Sequence, residues 1–398
     1  MKIAIIQTSL VEPTGGERQS LMLAISLQKM GHEVTIFTQA VSVHCFPELQ
    51  KQVTIVAAST FLQRTEQNVV QKRMNIPALY VLRYFKCLFQ VFFFYRSIKD
   101  TLSKFDVINP HNFPMEWVSF FVKRDFPNKQ IVWMCNEPPF YYFSQQNLMT
   151  RLVSWPIFYI FDKCAVRAID KIVTLDRLNQ SRVLSIYGRE PRLIRSGAEI
   201  ETVSHSAAEL SDCRRKFNLL DDSFIVLSVA TLAPYKRPDK TLLAIQKLHN
   251  KIPTICGIFV GSGEMEQVLQ DMSVAMSLSD SIHFIKHVSE SDLAMLYDIC
   301  NVYVFPANQT WGLSAVEAML HAKPVLVSRD CGVSEIVTDW ENGVLVDGDN
   351  AVSIADAIFK LYKNNTSMCF IGSSARKYVL ENLSWTKYAE KMASQFEN

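Results

Sequence analysis

The sequence predicts an α/β protein of two domains, each built on a parallel sheet. Three observations carry that prediction. The chain has 398 residues, more than one ordinary domain holds. Its opening, residues 2–38, reads as strand, glycine loop, helix, strand, the building unit of a parallel sheet. The stretch Tyr303 to Ser328, YVFPANQTWGLSAVEAMLHAKPVLVS, has the same order of elements in the second half.

In chain order, Lys2 to Gln7 is an apolar strand. Pro13-Thr14-Gly15-Gly16-Glu17 follows. Leu21, Ala24, Ile25 and Leu27 then give helical periodicity as far as Met30, and Gly31 ends the helix. Val34 to Thr38 is the second strand. Gly15 and Gly16 let the backbone approach a ligand closely at a helix start, or simply make a tight turn. No complete GxGxxG is present, which argues against a nicotinamide dinucleotide.

Residues 76–98, IPALYVLRYFKCLFQVFFFYRSI, are crowded with aromatics. Arg83 and Lys86 interrupt them and disfavour a bilayer span. Two readings stand: a buried helix with snorkelling bases, or a helix lying in a membrane interface. A second aromatic run, Trp155 to Phe161, is flanked by Arg151 and Lys163.

Residues 106–108, 131–135 and 172–175 continue the strands. The first runs into His111, read either as a ligand or as a loop histidine bonded to its neighbours. The second ends in Asn136-Glu137-Pro138-Pro139. Residues 194–197 read as the exit from the first domain, and 199–212, polar and acidic, as a linker.

The second domain opens with the strand 224–230. Thr231-Leu232-Ala233-Pro234-Tyr235-Lys236-Arg237-Pro238 precedes a helix from Asp239. Residues 258–260 form a strand ending in Gly261-Ser262-Gly263, and 282–288 the next strand. Val302 to Phe305 leads into a polar turn, 307–310. Leu313, Val316 and Leu320 then mark one apolar helix face. Lys323-Pro324 closes that helix before the strand 325–327. The first N–H groups of the helix, at Leu313 and Ser314 after Gly312, lack partners within it and suit a phosphate. Glu317, one turn in, either accepts hydrogen bonds from sugar hydroxyls or complements the helix terminus.

Of the residues, 48% are hydrophobic. No run of apolar residues is long enough to span a bilayer, and the opening MKIAIIQTSL predicts a strand rather than a signal peptide. The nine cysteines show no metal-type spacing and read as reduced thiols of a cytoplasmic protein. Charge is uneven. Residues 1–200 carry 24 Lys and Arg against 15 Asp and Glu, a net of +9, and the remainder 17 against 24, a net of −7. The basic half predicts an anionic partner such as a membrane surface or a phosphate-bearing acceptor. Its bases are dispersed and carry no nucleic-acid motif, which argues against nucleic acid.

The stretch Trp311-Gly312-Leu313, Glu317-Ala318-Met319, Pro324-Val325 resembles the nucleotide-sugar signature of the large GT-B family of retaining glycosyltransferases, glycosyl transferases group 1 and family 4. The resemblance covers nearly the whole chain and is most specific over 224–346. It implies two Rossmann-like domains facing across a cleft: 1–198, with a terminal helix 385–398 packing back on it, and 199–384. It implies transfer of a hexose-type sugar from a nucleotide-sugar to a glycan or lipid-linked acceptor, with retention of configuration and with neither metal nor cofactor. By the same resemblance Lys236 and the helix start at Gly312, Leu313 and Ser314 hold the diphosphate; Arg237, next in sequence, either supplies the charge lost at Thr231 or belongs to a solvated basic turn. Glu317 holds the ribose, and Gly15 and Gly16 face the donor phosphates. Gly261 and Gly263 form the floor, and His287 and Val288 lie near the base. Asp347-Gly348-Asp349 is read as a surface turn, not a metal site. Three positions depart from the family pattern. Gln309 stands for a glutamate, Asn136 for a histidine and Thr231 for an arginine. An amide still hydrogen-bonds a hydroxyl but takes no proton near neutral pH. The alternative reading is a catalytically silent relative that binds a sugar nucleotide or supports a partner enzyme.

Overall fold

The computed structural model describes residues 1–58, 77–139, 159–198, 205–308 and 311–397, with side chains of the helix Pro77–Leu102 from residue 85 onward. The chain divides into two compact units, Met1–Ser196 with Trp385–Asn398, and Gly197–Ser384.

The first unit holds strands β1 (Lys2–Gln7), β2 (Glu33–Thr38), β3 (Thr54–Ala57), β4 (Val107–Pro110), β5 (Gln130–Met134), β6 (Lys171–Thr174) and β7 (Arg192–Leu193). They lie side by side in the order β3-β2-β1-β4-β5-β6-β7, every pair parallel. β1 is buried from its second residue on because helices cover both faces of the sheet. Ile3 lies opposite Val34 on one side and Val107 on the other. Between β1 and β4 the strand order reverses, and there the carboxyl ends leave a crevice.

The helix Pro77–Leu102 has one buried side and one exposed side. Val91, Phe94, Tyr95, Ile98 and Leu102 enter the core of this unit. Phe85, Phe89 and Phe93, four residues apart on one side, are 38%, 54% and 51% exposed. Of the second run, residues 151–158 lie outside the described residues. Phe161 packs edge-on against Trp117 with ring centroids 5.4 Å apart. The terminal helix Trp385–Phe396 belongs to this unit. It lays Trp385, Tyr388, Met392 and Phe396 inward, and the Gln19 side-chain amide donates to the Tyr388 hydroxyl at 2.9 Å.

The second unit holds β8 (Phe224–Val229), β9 (Ile255–Val260), β10 (Ile282–Ile285), β11 (Val302–Phe305), β12 (Val325–Ser328) and β13 (Val344–Val346). Their order, β10-β9-β8-β11-β12-β13, is that of a dinucleotide-binding sheet, with its reversal between β8 and β11. Two sequence expectations are corrected here. β10 ends at Ile285, so His287 and Val288 lie in the loop after it. The polar run after residue 198 is only in part a linker, because residues 207–216 form a helix. Ser206 and Glu209 make a reciprocal capping box, and Arg214, Arg215 and Lys216 occupy the last turn. Both features stabilise a helix whose composition alone reads as solvated chain.

Candidate active site

The candidate site of the second unit gathers at the carboxyl ends of β8 and β11, beside the reversal in strand order. Gly312 caps the helix Leu313–Leu320 with φ +81. A methyl group there would lie 2.7 Å from Phe305 Cε1, so both conformation and crowding demand glycine. The short turn Pro234–Lys236 places the Lys236 ammonium 5.2 Å from the centroid of the same Phe305 ring and 5.1 Å from that of Tyr235. One aromatic ring therefore has the Lys236 cation over its face and the helix start at its edge. The Asn308 N–H donates to the Tyr235 carbonyl at 2.8 Å, tying the two loops together.

Ser314 does not offer its hydroxyl freely. It donates to the Val229 carbonyl at 2.9 Å and accepts from the Tyr303 hydroxyl at 2.7 Å, which pins the first helical turn to the end of β8. Its backbone N–H and that of Leu313 are the groups left for an anion. Glu317, one turn on, accepts from the Tyr297 hydroxyl at 3.0 Å. The sequence singles out neither tyrosine as functional, because nothing in the local spacing separates either from a core aromatic.

The remaining predicted residues of this unit divide. Gly261, at φ +132, would place a methyl 2.2 Å from the Ala230 carbonyl oxygen, and one on Gly263 would come 2.4 Å from that of Leu232. These glycines let the loops after β8 and β9 lie against each other. The Leu232 N–H donates to the Ser262 carbonyl at 2.9 Å within that contact. Thr231 is exposed beside it. Arg237 turns toward the sheet, donating to the Pro306 carbonyl at 3.3 Å and lying 3.4 Å from Asp330 and 4.0 Å from Asp349. Asp349 also pairs with Lys240 at 3.3 Å. His287 is exposed and Val288 half-buried. Gln309 lies outside the described residues.

In the first unit, Gly15 and Gly16 open the helix Gly15–Lys29 at the end of β1. A methyl on Gly16 would sit 3.0 Å from the Asn112 side-chain nitrogen and 4.0 Å from that of Asn136. Asn136 donates to Gln19 at 2.9 Å, and its carbonyl accepts from Asn179 at 2.7 Å. Glu17, bonded to the Thr14 hydroxyl, is raised above the ordinary carboxylate range by burial. His111 is fully buried with Nε2 2.8 Å from Asn109, and burial lowers it to about 3, so the ring is neutral.

Deeper in this unit lies a pair that the sequence does not reveal. Glu116 and Asp162 are both fully buried. Asp162 accepts from Trp117 Nε1 and the Tyr187 hydroxyl, each at 2.8 Å. Burial raises Asp162 to about 6, and burial together with the Asp162 charge raises Glu116 well above the ordinary carboxylate range. Both carboxyls are therefore biased toward the protonated, neutral form.

The known proteins that this chain resembles are glycosyltransferases. The model described as "Glycosyl transferases group 1" matches residues 211–385 and "Glycosyltransferase Family 4" matches 13–202. An uncharacterised glycosyltransferase of Methanocaldococcus jannaschii is 25% identical over 74% of this chain and 76% of its own length. The D-inositol 3-phosphate glycosyltransferase of Salinispora tropica is 24% identical over 57% of this chain and 51% of its own. A GDP-mannose-dependent phosphatidylinositol monomannoside mannosyltransferase of Mycolicibacterium smegmatis is 22% identical over 56% and 61%. The chain thus spans little more than half of these last two. Among solved structures, Anabaena HepE in complex with UDP-glucose superposes with TM-score 0.79 at 18% identity, covering 99% of this chain and 98% of that one. Sucrose-phosphate synthase of Thermosynechococcus elongatus gives 0.78 at 19%, covering 99% and 97%. The fold is GT-B. The chain belongs to the group 1 and family 4 glycosyltransferases.

Proposed function

We propose that this glycosyltransferase moves a hexose-type sugar from a nucleotide-sugar donor to a glycan or lipid-linked acceptor, with retention of configuration and without a metal. The observation that carries the donor reading is the placement of the Lys236 ammonium and the start of the helix Leu313–Leu320 around one ring, Phe305. Charge grows on the leaving diphosphate as the glycosidic bond breaks. A fixed ammonium and two helix N–H groups stabilise that charge without reorganising. Glu317 lies beyond the phosphate end and takes the ribose hydroxyls. The names of the similar proteins support the same class of donor: one is GDP-mannose-dependent and another was solved with UDP-glucose.

In the first unit, Gly15, Gly16 and Asn136 lie together at the start of the helix Gly15–Lys29 and offer that unit's own contact to a ligand. The exposed stripe Phe85, Phe89 and Phe93, with Arg96 exposed on the same helix and Lys86 half-buried, supports peripheral contact with an anionic membrane. Among the described residues no helix is long and apolar enough to cross one.

The test is donor hydrolysis and transfer with a panel of UDP-, GDP- and ADP-sugars, read by nucleotide release. One donor turned over above the others supports the proposal. A panel that binds without turnover would favour the silent-relative reading, for which the changes at Gln309, Asn136 and Thr231 speak.

A further inference from the structure

Glu317 can select a ribose only if its carboxylate is held in one orientation. A glutamate on a helix has three rotatable bonds, and a half-buried one samples several rotamers unless something fixes it. The structure supplies that restraint from a different helix. Tyr297, on the helix Glu290–Ile299, is 2% exposed and donates its hydroxyl to Glu317 Oε2 at 3.0 Å. The ring of Tyr297 is held in turn. His321 stacks on it with centroids 5.2 Å apart at 27°. The His321 Nδ1 lies 2.7 Å from one oxygen of Asp298, and the His205 Nδ1 lies 2.6 Å from the other. Burial alone would push Asp298 up, but the His321 and His205 hydrogen bonds outweigh it and hold it below the ordinary value. Lys323 donates to the Asp298 carbonyl at 2.6 Å. Two imidazoles on one carboxylate fix the His321 ring, and that ring fixes the face of Tyr297.

Tyr303 does the equivalent one turn earlier, through Ser314. The two site residues of the helix Leu313–Leu320, three apart, are thus each bonded to a tyrosine rooted in a neighbouring element. The Ser314 bond sets the position of the helix start. The Tyr297 bond lies on the side chain that would touch the ligand.

We propose that Tyr297 is the positioning residue that orients Glu317, and that through it the enzyme discriminates a ribose from a 2′-deoxyribose. This rests on the reading of Glu317 as the ribose contact. The tyrosine hydroxyl fixes one carboxylate oxygen, and with it the plane of the group that meets the sugar. A carboxylate fixed in this way loses an acceptor-to-hydroxyl bond outright when the 2′-hydroxyl is missing. A mobile one turns to water and loses less.

The experiment uses the full chain and isothermal titration calorimetry. UDP, GDP and ADP are titrated, and the tightest binder is compared with its 2′-deoxy counterpart. Wild type, Tyr297→Phe, Glu317→Ala and the double variant are measured, with thermal melting of each. Wild type should prefer the ribonucleotide by about tenfold, the worth of a charge-assisted hydrogen bond. Tyr297→Phe keeps the ring on His321 and should reduce the preference to about threefold or less while the melting temperature changes little. Glu317→Ala should remove the preference, and adding Tyr297→Phe to it should change nothing more. Full discrimination in Tyr297→Phe together with none in Glu317→Ala overturns the role of Tyr297 and leaves the ribose contact standing. Full discrimination in Glu317→Ala overturns the ribose contact, and with it this inference. A Tyr297→Phe effect as large in the Glu317→Ala background as in wild type also overturns it, since the hydroxyl would then act on the fold rather than on Glu317.

Discussion

Lys236→Ala removes one ammonium group and leaves the Phe305 ring, the Gly312 cap and the Asn308–Tyr235 bond in place. Transfer should fall on the order of 10²–10³-fold, roughly 3–4 kcal/mol of transition-state stabilisation. Melting should stay near wild type, because a half-buried cation over an aromatic ring contributes only about 0.5–1 kcal/mol to folding. Near-wild-type turnover in the purified variant would remove Lys236 from the mechanism. Gln309 offers an amide where a carboxylate would carry charge. Its amide can orient sugar hydroxyls without repelling the diphosphate. Gln309→Glu should change the rate by about tenfold or less, ~1.4 kcal/mol, and Gln309→Ala by more, in steady-state assays with one donor and one acceptor. Rescue of an inert wild type by Gln309→Glu alone would mean that the glutamine is a lesion. At this scale the sequence names the residues but not their partners. The Tyr297–Glu317 bond joins residues 20 apart on different helices, and no local spacing encodes it. The turning of Arg237 toward Asp330 and Asp349 is equally invisible, because the left-handed backbone at Arg237, φ 52, sets the direction of its side chain.

Elements are legible wherever burial is one-sided or complete. The helix Leu313–Leu320 and the strands β1 and β11 follow from apolar spacing and run length, since a strand buried on both faces has nothing but apolar residues to offer. The helix capped at Ser206 escapes a reading by period, because a short polar helix has little hydrophobic period to read. The aromatic helix Pro77–Leu102 admits two readings from sequence, because a stripe of phenylalanine every fourth residue looks like core until the opposite stripe is seen to be buried as well. Its exposed face gives a prediction. Wild type should co-sediment with vesicles of anionic phospholipid at low salt and less at high salt. Phe89→Asp with Phe93→Asp should cut that binding severalfold, each phenylalanine contributing about 1.5–3 kcal/mol if fully inserted, while the melt stays close to wild type because neither ring lies in the core. Binding that ignores both salt and the two substitutions would count against membrane contact at this face.

For the molecule as a whole, the buried acid pair predicts a pH dependence of stability. Unfolded, Glu116 and Asp162 titrate near 4. Folded, both are raised, Asp162 to about 6 and Glu116 well above its ordinary value. Between those values the native state binds more protons than the unfolded one, so stability falls with rising pH. The contribution is complete below pH ~4 and is lost as pH climbs through the folded values. Glu116→Gln keeps the shape and removes the charge. Between pH 5 and pH 8 its denaturant midpoint should gain on wild type, because the variant has no proton to lose at this position. A difference that is flat with pH would show the pair to be unperturbed. The two-domain, parallel-sheet plan is legible in length and element order. The acid pair is not, since it joins a short helical turn to a distant helix through the interior.

The placement of the helix Trp385–Phe396 in the first unit has a consequence for biosynthesis. Translation delivers Met1–Ser196 first, yet that unit lacks the cover for the helix Gly15–Lys29 and for Gln19 until residues 385–396 are made. Gly197–Ser384 is complete before then and can fold while the chain is still growing. The earlier half of the nascent chain must wait with an apolar flank open, shaped to receive Tyr388, Met392 and Phe396. Of the two units, the one translated earlier is thus the later to close, and a stop codon in place of Trp385 would leave it ajar while sparing the other.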